Sequence, residues 1–137
     1  VKPRFDGQRV LVVDDLPLAL SAISQMLQTL GLRVDTAGSG AQAIEMIRVA
    51  ADADDAYAAV LCDWRMPGMD GFAVCEKLRS QVETAFIPVM MLTANPSEEG
   101  RIRGYMVGTD DYVSKPFNVA ELNARVTRLL RRAYGIS

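Results

Sequence analysis

The sequence predicts a single α/β domain: a five-stranded parallel sheet, strand order 2-1-3-4-5, with helices on both faces. Short Val-, Ile- and Leu-rich runs alternate five times with longer stretches of helical periodicity. Those runs are apolar nearly throughout, as in strands covered on both sides by helices. A length of 137 residues suits one domain, and we expect residues 1–137 to form it. Five parallel strands with right-handed crossovers favour the order given.

Taken in order, Arg9–Asp14 (RVLVVD) reads as a buried strand ending in acid. Pro17 suits a first helical turn, and Leu18, Ile23, Met26, Leu27 and Leu30 form the expected apolar stripe, which stops at Gly31. Leu32–Ala37 is the second strand. Ala41–Ala51 is the second helix, with Ala43, Ile44, Ile47 and Ala51 on one face, and Asp52–Asp55 makes a solvated connection. Ala58–Asp63 (AAVLCD) is a third strand, again ending in acid. After the Pro/Gly-punctuated loop Trp64–Asp70, a helix of about ten residues starts at Gly71 and carries Phe72, Val74, Cys75 and Leu78. Ile87–Leu92 is the fourth strand, ending at Thr93. Ser97 is a candidate cap for a fourth helix running to Gly108, which contains Gly100 and Gly104. Asp111–Ser114 is a short fifth strand closed by Lys115–Pro116. Asn118-Val-Ala-Glu121 resembles a capping box, with Leu122, Val126, Leu129 and Leu130 facing inward along the last helix.

The composition excludes several chemistries. With no histidine in the chain, triads with a His base, Cys–His nucleophiles, His-bearing zinc sites and a phosphohistidine cannot be built from it. Net charge −2 gives no general electrostatic attraction to nucleic acid or an anionic membrane, and no apolar run reaches the roughly 18 residues of a span. Cys62 and Cys75 form no C-x-x-C pair and read as small buried hydrophobes in a reducing, cytoplasmic setting.

In a sheet of this kind ligands gather outside the carboxyl ends of the strands, where strand order reverses. Those ends carry Asp14 and Asp15, Asp63, Thr93 and Lys115. Any one of them alone is ordinary turn or cap chemistry; together they fall on one edge. Carboxylates crowded in a partly dry crevice repel, and a hard divalent cation with oxygen ligands, Mg²⁺ rather than zinc, relieves that repulsion. A cation, a lysine, a hydroxyl and a free carboxylate describe a site for a phosphoryl group. A carboxylate is then the natural nucleophile, giving an aspartyl phosphate.

The segments LVVDD (11–15), LCDWRMPGMDG (61–71), MLTA (91–94) and GTDDYVSKPF (108–117) resemble the receiver domains of two-component response regulators, over a core of about 8–132. The resemblance implies a flavodoxin-like (βα)5 doubly wound fold and a signalling switch rather than an enzyme, with Asp63 as phosphoacceptor. It further implies Mg²⁺ held by Asp14, Asp15, Asp63 and the Arg65 backbone carbonyl. Thr93, the Ala94 N–H and Lys115 would contact the phosphoryl oxygens, and Lys115–Pro116 would be cis. Tyr112 matches the aromatic position that moves with Thr93, although an ordinary strand aromatic would look the same. Arg65 and Asn95 occupy positions that vary in the family and tune phosphoryl lifetime; the alternative for Arg65 is a solvated side chain. The implied partner is a sensor histidine kinase or phosphotransfer protein, and neither nucleic acid nor membrane is expected to bind this domain.

Arg101, Asp110, Asp111, Glu121, Arg125 and Arg132 resemble the dimerisation face of receivers joined to winged-helix transcription factors, built from the fourth helix, fifth strand and last helix. There Arg101–Glu121, Asp111–Arg125 and Asp110–Arg132 would pair across a two-fold axis; an intrahelical Glu121–Arg125 pair is the simpler alternative. Two rivals differ in class. A Mg²⁺-dependent phosphohydrolase would want an acid/base Asp two residues after Asp63, where this chain has Arg65. A flavin-binding domain would want a Ser/Thr/Gly-rich loop after the first strand, where it has Asp-Asp-Leu-Pro.

Overall fold

The structure, a computed structural model, describes residues 7–94, 103 and 107–135. The elements run β1 (Arg9–Val13), α1 (Pro17–Gln28), β2 (Arg33–Ala37), α2 (Gly40–Asp52), β3 (Ala59–Asp63), α3 (Gly71–Arg79), β4 (Val89–Thr93), β5 (Asp111–Ser114) and α4 (Val119–Tyr134). All strand pairs are parallel, in the order β2-β1-β3-β4-β5. Asp63 pairs with Leu92 and Thr93 with Ser114, so the carboxyl ends of β3, β4 and β5 finish nearly flush.

Alternate strand residues feed opposite cores. Leu11, Val13, Val60, Cys62, Val89 and Met91 pack under α2 and α3. Val10, Val12, Ala59, Leu61, Met90, Leu92 and Val113 pack under α1 and α4. The central strands therefore bury both faces, which is why their sequences lack alternation. Helix caps follow the sequence closely: Pro17 opens α1, Asp70 accepts the Ala73 N–H at 2.9 Å, and Asn118 accepts that of Glu121 at 2.7 Å. The reported span and inward face of α3 match expectation, as do Leu122, Val126, Leu129 and Leu130 of α4.

Leu18 departs from expectation, lying 87 % exposed at the start of α1. It stands five residues before Ile23, about 140° round the helix from the buried Ile23–Leu27 stripe. On α2 the inward alanine is Ala50, not Ala51, because it follows Ile47 by three residues. Strand limits differ from the sequence reading by a residue or two at Leu32, Ala58 and Ile87. Asn95, Ser97, Gly100, Arg101 and Gly104 lie outside the described residues. Among the described residues no helix is long and apolar enough to cross a membrane.

A polar network ties β1 and β2 to the connection before β3. Arg9 reaches Asp35 at 2.8 Å and Asp55 at 3.3 Å, and Arg33 reaches Asp55 at 2.8 Å. Tyr57, 1 % exposed, donates its hydroxyl to Asp35 at 2.8 Å beneath the Arg9 guanidinium. Burial, reinforced by the bond to Asp35, pushes the Tyr57 phenol up to about 12. A phenol raised on folding contributes stability that is complete below its unfolded value and is lost as pH climbs through about 12. Thermal melts near neutrality and at about pH 11 should therefore show a larger loss of melting temperature in the native protein than in Tyr57→Phe.

Candidate functional site

The site forms where β1, β3, β4 and β5 end. Asp14 follows β1, its N–H continuing the ladder to the Ala37 carbonyl at 3.1 Å. Its side chain is fully buried with both oxygens engaged: Oδ1 accepts the Leu16 N–H at 3.0 Å, and Oδ2 accepts Lys115 Nζ at 3.0 Å. Asp63, the last residue of β3, is 9 % exposed, and its Oδ1 lies 3.5 Å from the same Nζ. Asp15 is exposed at the rim, and carboxylate oxygens of Asp14, Asp15 and Asp63 lie within 4.8 Å of one another.

That crowding has electrostatic consequences. Burial raises the Asp63 carboxyl above its ordinary value; Lys115 offsets part of this, while the charges of Asp14 and Asp15 add to it. Burial favours a neutral Lys115, but its bonds to Asp14 and Asp63 outweigh that and hold its pKa above normal. Three carboxylates facing one ammonium leave an excess of negative charge, with an open rim at Asp15. The donor set is all oxygen and hard, which fits a divalent cation such as Mg²⁺.

The loop after β3 is pinned at both ends. Gly71 N–H bonds the Trp64 carbonyl at 3.0 Å, and a Cβ on Gly71 would sit 2.6 Å from the Asp63 carbonyl oxygen and 2.9 Å from Trp64 Cα. Only glycine lets the start of α3 lie this close to the backbone of Asp63. Trp64 is buried against Phe72, ring centroids 5.4 Å apart, and the exposed Arg65 stands over its indole at 5.4 Å. The Arg65 carbonyl belongs to this pinned loop, while its guanidinium lies on the Trp64 ring.

Thr93 ends β4 at 2 % exposure, followed by exposed Ala94, and its carbonyl accepts the Lys115 N–H at 2.6 Å. The Lys115–Pro116 bond is cis. Tyr112, beside Met91 in the sheet, is half-buried against the α2/α3 core, and its carbonyl accepts from Arg125 at 3.4 Å.

On the β5–α4 face the acidic residues have partners within the chain. Asp111 pairs with Arg125 at 3.4 Å and Arg128 at 3.3 Å, and Arg125 also reaches Glu121 at 3.6 Å. Asp110 accepts from Arg79 at 2.9 Å and from the Val89 N–H at 2.8 Å. Arg132 is exposed on α4, and Arg101 lies outside the described residues. Arg79 and Arg128 were not singled out from the sequence, since a surface arginine carries no mark of its partner.

A family model described as the response regulator receiver domain matches residues 10–127. The transcriptional regulatory protein TcrA of Mycobacterium tuberculosis is 43 % identical over 94 % of this chain and 48 % of its own length. The phosphate regulon regulator PhoB of Rhizobium meliloti is 39 % identical over 91 % of this chain and 53 % of its own length. The chain thus spans about half the length of these curated relatives. Among solved structures, the Vibrio cholerae chemotaxis protein CheY4 superposes with TM-score 0.82 at 32 % identity, covering 89 % of this chain and 98 % of that one. The receiver domain of the Pseudomonas aeruginosa sensor histidine kinase PA1611 superposes with TM-score 0.75 at 35 % identity, covering 95 % and 99 %; its active-site cleft coordinates a magnesium ion. The chain belongs to the response regulator receiver domain family, CheY-like in fold and signalling rather than enzymatic in role.

Proposed function

We propose that this domain is a phosphorylation-activated switch that accepts a phosphoryl group on Asp63 from the phosphohistidine of a sensor kinase or phosphotransfer protein. The observation that carries the reading is the buried Asp14–Lys115–Asp63 arrangement, with Asp15 completing the acidic cluster at its rim. Asp63 Oδ attacks phosphorus, the P–O bond forms as the P–N bond breaks, and the departing imidazole takes a proton. Asp14, Asp15, Asp63 and the Arg65 carbonyl would hold Mg²⁺, whose charge offsets that of the phosphoryl oxygens. Lys115, the Thr93 hydroxyl and the Ala94 N–H supply bonds to those oxygens. The histidine must come from the partner, because this chain has none.

Converting the Asp63 carboxylate to an acyl phosphate adds about one negative charge and three acceptor oxygens at the strand ends. Thr93 moves toward it, Tyr112 follows into the vacated space, and the β5–α4 face changes its contacts. Relatives named as transcriptional regulators support an output in transcription, delivered by another domain or a partner. The buried thiols, both raised above ordinary values by burial, suit a reducing cytoplasm. Phosphorylation further promotes a homodimer through Arg101, Asp110, Asp111, Glu121, Arg125 and Arg132. Dimerisation exchanges the intrachain Asp111–Arg125 and Asp110–Arg79 pairs for pairs across a two-fold axis. Arg125→Glu should leave a phosphorylated protein monomeric in sedimentation while the native protein dimerises.

Incubation with acetyl phosphate and Mg²⁺ followed by intact-mass analysis tests the central reading. One phosphoryl adduct, absent in Asp63→Asn, is expected. Rapid multiple turnover of small phosphate esters, with no adduct, would instead indicate a phosphohydrolase.

A further inference from the structure

The described part of the stretch between β4 and β5 lies along α3 and touches it at successive levels. At the far end, Arg79 donates to the Gly108 carbonyl at 2.9 and 3.1 Å. Midway, Cys75 Sγ donates to the Val107 carbonyl at 3.4 Å. At the end nearest the acidic cluster, the Arg103 guanidinium lies 4.5 Å from the Phe72 ring centroid and 3.8 Å from Asp70 Oδ2. Both groups it touches bound the loop that follows Asp63. Asp70 caps α3 through its other oxygen, and Phe72 covers Trp64, the residue next to Asp63.

We infer that Arg103 is a positioning residue for the metal-holding loop, Asp63–Gly71. The inference rests on the Mg²⁺-dependent reading of the site and adds a residue that this reading does not use. Arg103 acts from outside the cluster: its charge holds the Asp70 carboxylate in its capping pose, and its planar face keeps Phe72 on Trp64. Phe72 and Gly71 then fix the chain between Asp63 and α3, which includes Arg65. At 58 % exposure the side chain is not part of the core, so its removal costs little overall stability.

The sign of the effect separates this role from simple electrostatics. Deleting a cation near an acidic cluster should tighten binding of Mg²⁺, because a competing positive charge is gone. A positioning role predicts the reverse: the loop slackens and binding weakens. Titration of Mg²⁺ alone, followed by Trp64 emission, is the measurement, with thermal melting of the metal-free protein alongside. Arg103→Ala should raise the Mg²⁺ dissociation constant about two- to tenfold while melting shifts little. Arg103→Lys keeps the charge and loses the planar contact, so it should fall between the two and remain weaker than the native protein. Unchanged or tighter Mg²⁺ binding by a folded Arg103→Ala overturns the inference. Should Arg103→Ala fail to fold, Asp70→Asn tests the same link, since asparagine still caps α3 but offers no charge to Arg103. In the Asp70→Asn background, Arg103→Lys keeps the positive charge and removes only the planar contact with Phe72, so a further loss of Mg²⁺ affinity supports the inference and no further loss overturns it. A native protein whose emission and melting ignore Mg²⁺ removes the Mg²⁺-dependent reading of the site instead, and the two failures are thereby distinct.

Discussion

Asp63→Asn should melt higher than the native protein in the absence of divalent metal and lower in its presence. Without metal, Asp63 is a carboxylate at 9 % exposure, within 4.8 Å of two others and only 3.5 Å from a lysine already bonded to Asp14. Its ionised form is disfavoured by that burial, as the raised pKa reflects. A neutral amide of nearly the same shape removes the repulsion, a gain on the order of 1 kcal/mol, or about 3–5 °C for a domain of this length. Metal reverses the ranking. A ligand bound at about one hundred times its dissociation constant stabilises the folded state by about 2.7 kcal/mol, and the native cluster holds the cation better than one lacking Asp63. Melting curves of both proteins with and without Mg²⁺ give four values, and crossing order is the expected outcome. If Asp63→Asn melts lower in both conditions, the carboxylate is a structural cap rather than part of a strained cation site.

Much of this was legible in the chain because strands buried on both faces write themselves as unbroken apolar runs. RVLVV runs up to Asp14, while AVLCD ends at Asp63 and VMMLT at Thr93, so each run leads directly into the site. Asp14, Asp63, Thr93 and Lys115 were readable for the same reason: the edge on which they converge follows from parallel strand direction alone. Leu18 misled because a leucine at a helix start counts toward periodicity whether or not it lies on the covered arc. Arg79, Arg103 and Arg128 were invisible for a different cause. Their partners are 6 to 31 residues away in sequence for Arg79 and lie on other elements for Arg103 and Arg128, so no local spacing announces them. The same holds for Asp110 and Asp111. The sequence shows two acids on a face, while packing decides that Arg79 and Arg125 meet them within the chain.

Lys115→Met should produce the second large effect, on stability and on chemistry at once. Lys115 is the cation that bonds Asp14, whose carboxylate is fully buried, and among the described residues it is also the one paired with Asp63. Methionine keeps the length of the side chain and most of its packing, so the change isolates the charge. Leaving a buried carboxylate without its partner costs about 3–5 kcal/mol in a dry interior. Because Lys115 is itself 24 % exposed, water screens part of the interaction, and a loss of about 2–3 kcal/mol is expected here. The two carboxylates can recover some of it in two ways. One of them takes up a proton, so the deficit relative to the native protein shrinks as pH falls toward the carboxyl range. Alternatively Mg²⁺ supplies the missing positive charge, so the deficit also shrinks on adding metal. Denaturant melts of the two proteins, with and without Mg²⁺, measure both. Phosphorylation by acetyl phosphate should still be slowed about a hundredfold or more at saturating Mg²⁺, because the cation occupies its own ligands and cannot also take the place of an ammonium on the phosphoryl oxygens. Recovery of stability without recovery of rate is the pattern that assigns Lys115 to both tasks; recovery of both would reduce it to a counter-charge for Asp14.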